Sequence, residues 1–343
     1  MSGNLRFFTG SFIVTFIGIT AAFYIGGLEA LFLVSVLCVL EISLSFDNAV
    51  VNATVLKDMS PKWQRRFLTW GMLIAVFGMR ILFPVIIVSI IAQVSPWGAL
   101  NIAMNTPEVY AHHMELAHIN LMGFGGSFLL MVGLDFFLDD EKEHWIPLIE
   151  KPIMALGKIP YMTVLLTAGL ILSVAYGALQ EADRHGFIAS ALSGIFTYLA
   201  IHSLAKWMEN REAQRAAAGL AAKSGLAMFM YLEILDASFS FDGVIGAFAI
   251  TTDLFIIAIG LGIGAMFVRS LTIMLVEKGT LSIYKYLEHG AFYAIIALAV
   301  IMILKTFTHI PEVLTGLIGA GFIGVAFGHS WLIKRQENSK AAQ

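Results

Sequence analysis

The sequence predicts an all-α polytopic membrane protein, about ten transmembrane helices built as two inverted five-helix repeats. Three observations carry that reading. Hydrophobic residues make up 58% of the chain and charged residues 13%, with a mean hydropathy of +0.82, whereas a soluble domain carries about 25% charged residues. Several apolar runs exceed the roughly 18 residues that mark a membrane-crossing helix. Finally, one short acidic motif occurs twice, at residues 40–56 and again at 232–249.

Taken in order, the apolar runs place spans near 7–25, 29–56, 67–94, 118–138, 160–180, 186–205, 224–250, 252–276, 290–308 and 312–333. The first follows Arg6 without a small-x-small cleavage pattern and reads as a retained helix. Lys and Arg concentrate in cytoplasmic loops. This span count puts 17 of the 21 basic residues on the side of the N-terminus, so both termini are expected in the cytoplasm of a bacterial inner membrane. Residues 95–117, 139–151 and 206–223 read as solvated connections, the last partly helical. The first of these carries Glu108, His112, His113 and Glu115 and reads as an ordinary outer loop, with a metal-attracting vestibule as the alternative. Residues 335–343 read as a disordered tail. The single cysteine, Cys38, has no internal disulfide partner, and no basic arm or patch suggests a nucleic-acid partner.

The repeat rests on two correspondences. Aligned on their Phe-Asp pairs, the acidic motifs match Glu41 with Asp236, Ser43 with Ser238, Ser45 with Ser240, Asp47 with Asp242 and Asn48 with Gly243. In the span after each motif a glycine precedes an arginine by nine positions, Gly71 to Arg80 and Gly260 to Arg269. The motifs lie five spans apart, and an odd number of helices per block inverts the second block. The blocks are residues 1–180 and 186–334. Transporters built this way bind substrate at the repeat interface near mid-bilayer.

Ionisable groups at membrane depth are rare and line pathways or meet partners. Here five acids, Glu41, Asp47, Glu233, Asp236 and Asp242, face two arginines, Arg80 and Arg269. The surplus calls for protonation or for a cation. On a regular helix Glu41 and Asp47 point about 120° apart, so either helices 2 and 7 are broken near the motifs, with Ser45, Ser240 and Gly243 as the places for it, or each acid faces a different neighbour. The metal set read from the sequence is Glu41, Asp47, Asn48, Glu233, Asp236 and Asp242, supported by Ser45, Ser240, Arg80 and Arg269. Carboxylate, amide and hydroxyl oxygens suit hard cations such as Mn²⁺, Ca²⁺ and Mg²⁺. The two arginines read as counter-ions to the acids.

These motifs resemble the paired acidic signatures of the TerC family of integral membrane proteins, and Glu288-His289-Gly290-Ala291 is similar to a stretch common in that family. The resemblance implies metal-ion transport, with manganese efflux foremost. Many TerC members carry Ser where Gly243 stands. The function expected from the sequence is therefore a secondary transporter of divalent cations, Mn²⁺ efflux first, coupled to H⁺ or Na⁺, with the lipid bilayer as its surroundings. No resident cofactor and no enzymatic activity are expected. A paired-aspartate hydrolase would need companions such as a Gly-x-Gly-Asp loop, which the sequence lacks. The alternative is a membrane scaffold or biogenesis factor whose buried acids are structural.

Overall fold

A computed structural model describes residues 5–57, 59–71, 73–139, 144–217 and 225–341. Among the described residues the regular structure is entirely helical. Among these same residues seven helices are long and apolar enough to cross a membrane, or eight if one bent pair forms a single span. Large apolar side chains face outward from them. Phe16, Tyr24 and Leu28 are 75%, 84% and 76% exposed, a surface that hydrocarbon solvates and water does not. The protein is membrane-embedded.

Residues 1–118 with 200–274 form one compact unit, and residues 119–199 with 275–343 form a second. The first unit begins with a short turn, Arg6–Phe8, and α1 (Thr9–Leu44). Helical geometry fails in α1 at Gly26 and at Gly27, whose φ of 64° is open only to a residue without Cβ. This break falls between the sequence-predicted spans 7–25 and 29–56. A second interruption at Ser45 separates α1 from α2 (Phe46–Leu56). Next comes α3 (Pro61–Ile91), with proline at its first position and π-helical winding over Phe67–Gly71 and Ile74–Leu82.

The 95–117 connection is not a loop. It folds as α4 (Pro96–Asn105) and the first turns of α5 (Pro107–Leu138). Ser95-Pro96 and Thr106-Pro107 are helix-start signals, and the Ser95 hydroxyl accepts the Gly98 N–H at 3.1 Å. His112 and Glu115 face each other across one turn at 4.0 Å and are largely exposed.

Two helices from later in the chain complete this unit, α9 (Leu226–Phe248) and α10 (Leu254–Glu277), reached through α8 (Glu181–Ala217). Asp253 caps α10 by accepting the N–H groups of Phe255 and Ile256 at 2.8 and 3.1 Å. The helices α10 and α1 pack at glycine distance. A Cβ on Gly260 would lie 3.2 Å from the Val34 carbonyl oxygen, and one on Gly264 would lie 3.0 Å from that of Cys38. Small residues four apart let membrane helices approach closely. Ser11 of α1 then donates to the Met266 carbonyl at 2.8 Å.

The second unit holds α6 (Pro147–Gly157) and α7 (Met162–Gly177), bent by 104° at a turn where Tyr161 adopts a φ of 60°. After a single turn, α11 (Thr280–Ile283), the chain ends in α12 (Leu287–Lys305) and α13 (Glu312–Ala341). Lys305 donates to Glu312 at 2.7 Å across their connection. Glu150, read as a solvated loop residue, is buried and accepts from the Trp145 N–H at 2.7 Å and the Tyr293 hydroxyl at 3.0 Å. The expected disordered tail continues as helix to Ala341, and the expected 206–223 connection is helical to Ala217. The rest of that connection, and residues 140–143 of the one before it, lie outside the described residues.

Candidate functional site

The first acidic motif closes α1. Glu41 is 2% exposed, and at Ser45 the backbone (φ −103°, ψ 14°) leaves helical geometry. Serine suits the break because its hydroxyl has a use there. The Ser45 N–H still reaches the Glu41 carbonyl at 2.9 Å, while its side chain donates to Glu41 Oε1 at 3.0 Å. Arg80 Nη2 donates to the same oxygen from the π-wound part of α3, and both partners are buried. On the other side of this carboxylate stands Gly243, where a Cβ would come within 3.2 Å of Glu41 Oε2.

The second motif behaves differently. Helix α9 runs without interruption through Asp236, Ser240 and Asp242, so the break expected here is absent. Ser238 returns its hydroxyl to the Ile234 carbonyl at 2.9 Å, as Ser43 does to Val39 at 2.8 Å, and neither hydroxyl competes for the carboxylates. Asp236 Oδ1 accepts two amides from α2, Asn48 Nδ2 at 2.6 Å and Asn52 Nδ2 at 3.4 Å. Arg269 attracts Asp236 and Glu233 electrostatically, and its guanidinium lies 4.9 Å from the centre of the Phe67 ring. Glu233 rests over Gly71, where any Cβ would collide with its carboxylate.

Asp47 and Asp242 form the third element. They are 4% and 3% exposed and close enough to repel each other. Asp47 Oδ1 accepts the N–H of Asn48 at 2.9 Å, a bond within the first turn of α2, where the helix dipole favours a negative group. Ser240, on the same helix as Asp242, is also buried.

The acids thus do not gather at a point. Among the described residues no three His, Cys, Asp or Glu side chains come together as a metal cluster. Glu41 and Asp236 do share one cavity of about 30 Å³, walled also by Ser45, Asn48, Asn52, Arg80 and Arg269. Roughly 10–15 Å³ on this measure admits one water, so an ion of similar size fits. Chemically the site offers two carboxylates, from α1 and α9, and two amides from α2 around a buried cavity, with the Asp47 and Asp242 pair on α2 and α9. Sequence reasoning missed Asn52. The signal was available, because Asn48-x₃-Asn52 repeats an amide at helical spacing inside an apolar stretch.

The family comparison bears on residues 46–337, where the model for protein of unknown function (DUF475) matches. The chain belongs to the DUF475 family. No curated protein and no solved structure matches it. The DUF475 match overturns the expected TerC membership, since no TerC model matches the chain. The likeness rested on stretches of a few residues: acids, serines and small residues in apolar helices. Any helix pair that buries carboxylates needs those residue types, so they do not identify a lineage. In DUF475 terms, the matched region takes in Asp47, Asn48, Arg80, the whole second motif and Arg269, and begins after Glu41.

Proposed function

We propose that this protein is a secondary transporter of hard divalent cations, with Mn²⁺ export as the specific form of the proposal. The observation that carries it is the pairing pattern in the first unit. Glu41 and Asp236, matched in the two motifs, each interact with the arginine matched in their own half, Arg80 and Arg269. Each also meets the residue after the other motif's aspartate, since Asn48 bonds Asp236 and Gly243 faces Glu41. Asp47 and Asp242 lie within reach of each other's charge. A twofold relation between the halves produces this pattern, and a scaffold with unrelated buried acids has no need of it.

The same relation supports two inverted five-helix repeats. If α1 is divided at Gly26-Gly27, and α9 is admitted as a span despite its three acids, the helix count reaches ten. Four of the five matched span pairs also sort together: the helices of both acidic motifs and of both Gly-Arg pairs lie in the first unit, and α12 and α13 join α7 and most of α5 in the second. The first half of α1 and its counterpart α8 fall mainly in different units. Both termini belong in the cytoplasm, in the bacterial inner membrane, on the distribution of basic residues. Five acids against two arginines leave charge for a divalent cation or for protons to neutralise, which suits exchange of the metal for H⁺ or Na⁺.

The test compares cells expressing the wild type with cells expressing the double variant Asp47→Asn, Asp242→Asn, both loaded with Mn²⁺. The wild type is expected to lower cytosolic manganese and the double variant, present at equal level in the membrane, is expected not to. Equal manganese in the two removes the proposal. If the double variant fails to accumulate as folded protein, the scaffold reading gains instead.

A further inference from the structure

We infer that Asn52 and Asn48 are direct cation ligands, an amide-oxygen clamp on α2 that holds the metal inner-sphere beside Asp236. This rests on the transport reading above and names the atoms that select its substrate. Both side chains are buried, at 4% and 3% exposure, and both line the cavity shared with Glu41 and Asp236. They sit four residues apart, on one face of the helix. Their Nδ2 groups are committed to Asp236 Oδ1. Their Oδ1 atoms have no hydrogen-bond partner among the described residues. A buried amide oxygen without a partner costs about 1–3 kcal/mol, and here there are two in one cavity.

The cavity's charged groups decide the sign of what those oxygens take. Arg80 is engaged by Glu41, and Arg269 is drawn to Asp236 and Glu233. The two amide oxygens give this wall acceptors for a cation beside the Asp236 carboxylate, while its two arginines already lie against acids. Neutral amide oxygens together with a carboxylate form a hard donor set of moderate charge, suited to Mn²⁺, Mg²⁺ or Ca²⁺ and poor for softer ions. Because the same two side chains hold Asp236 by their NH₂ groups, the metal's charge is balanced by a carboxylate already fixed in place.

The experiment uses the purified full chain in detergent, with Mn²⁺ as the probe and the amplitude of the free Mn²⁺ electron paramagnetic resonance signal as the readout. Variants Asn52→Ala, Asn48→Ala and Asn52→Asp are compared with wild type, each checked by size-exclusion profile. The alanine variants are expected to weaken Mn²⁺ binding by at least about 10- to 100-fold, the loss that removing a hydrogen-bond partner of a metal's ligand already causes. Asn52→Asp keeps an oxygen but loses the donor to Asp236, and is expected to bind within about tenfold of wild type. Wild-type binding with undiminished affinity in Asn52→Ala overturns the clamp and leaves the transport proposal standing. Binding lost equally in Asn52→Asp and Asn52→Ala, in folded protein, also overturns it, since Asn52 would then serve only as donor. No saturable binding of Mn²⁺, Mg²⁺ or Ca²⁺ to the wild type removes the clamp and the transport proposal together.

Discussion

The two acidic motifs read almost alike and are held in different ways. Glu41 sits beside a helix interruption, bonded to a serine of its own helix and to an arginine in direct contact. Asp236 sits in an unbroken helix and takes its hydrogen bonds from two amides of the opposite motif. The residue that differs between the motifs explains much of this. Asn48 can reach across to Asp236, whereas its counterpart Gly243 has no side chain to offer Glu41. Arg80 and Ser45 supply what Gly243 does not. Near-identical short sequences can therefore give unequal sites once one position changes from a donor to a hydrogen atom.

Removing Arg80 should separate the motifs most strongly. Arg80→Met leaves Glu41 buried without its cation, a loss of about 3–5 kcal/mol for one partner of a buried pair. The measurement is thermal unfolding in detergent. The matched Arg269→Met is expected to cost less than Arg80→Met, because Asp236 keeps its two amides; equal losses would end the claim that the motifs are held differently. Adding Glu41→Gln to Arg80→Met should restore much of the lost stability, as removing both charges of a buried pair generally does.

Gly264→Ala comes next. Its Cβ would meet Glu41 Cβ at 2.5 Å and the Cys38 carbonyl oxygen at 3.0 Å, so about 1–3 kcal/mol of overpacking is expected. Gly243→Ala meets only Glu41 Oε2, at 3.2 Å, and is expected to stay below Gly264→Ala in the same melt. The smallest effect belongs to Ser45→Ala, which deletes one of the hydrogen bonds to Glu41 Oε1 at about 1 kcal/mol. A larger loss there would mean that the serine, more than Arg80, fixes the carboxylate.

Much of this site could be read from the chain, and the failures have physical causes. Burial of the acids followed from apolar context, and the spacing of Gly71-Arg80 and Gly260-Arg269 pointed to helices that pack on the motifs. The interruption at Ser45 was legible because a serine beside an acid in an apolar run has a competing bond to make. The same residue type at Ser240 did not break α9, because a short polar side chain permits a break without requiring one. Residues 95–117 were misjudged because polarity was weighed above the Ser-Pro and Thr-Pro helix starts. The TerC likeness failed because residues chosen by function alone carry little ancestry. The π-helical winding of α3 left no mark in the apolar pattern at all.

That winding has its own consequence. Over Ile74–Leu82 the backbone bonds i to i+5, so this stretch carries Arg80 at an angle an α-helix would not give it. In an α-helix one residue of slippage turns everything beyond it by about 100°. Rewinding the stretch as an ordinary α-helix would turn Arg80 relative to Pro61–Arg66 and carry Phe83–Ile91 round with it, so the contact with Glu41 belongs to the π-wound form. The pair with Glu41 therefore ties the place of Arg80 to the winding of this one stretch of helix.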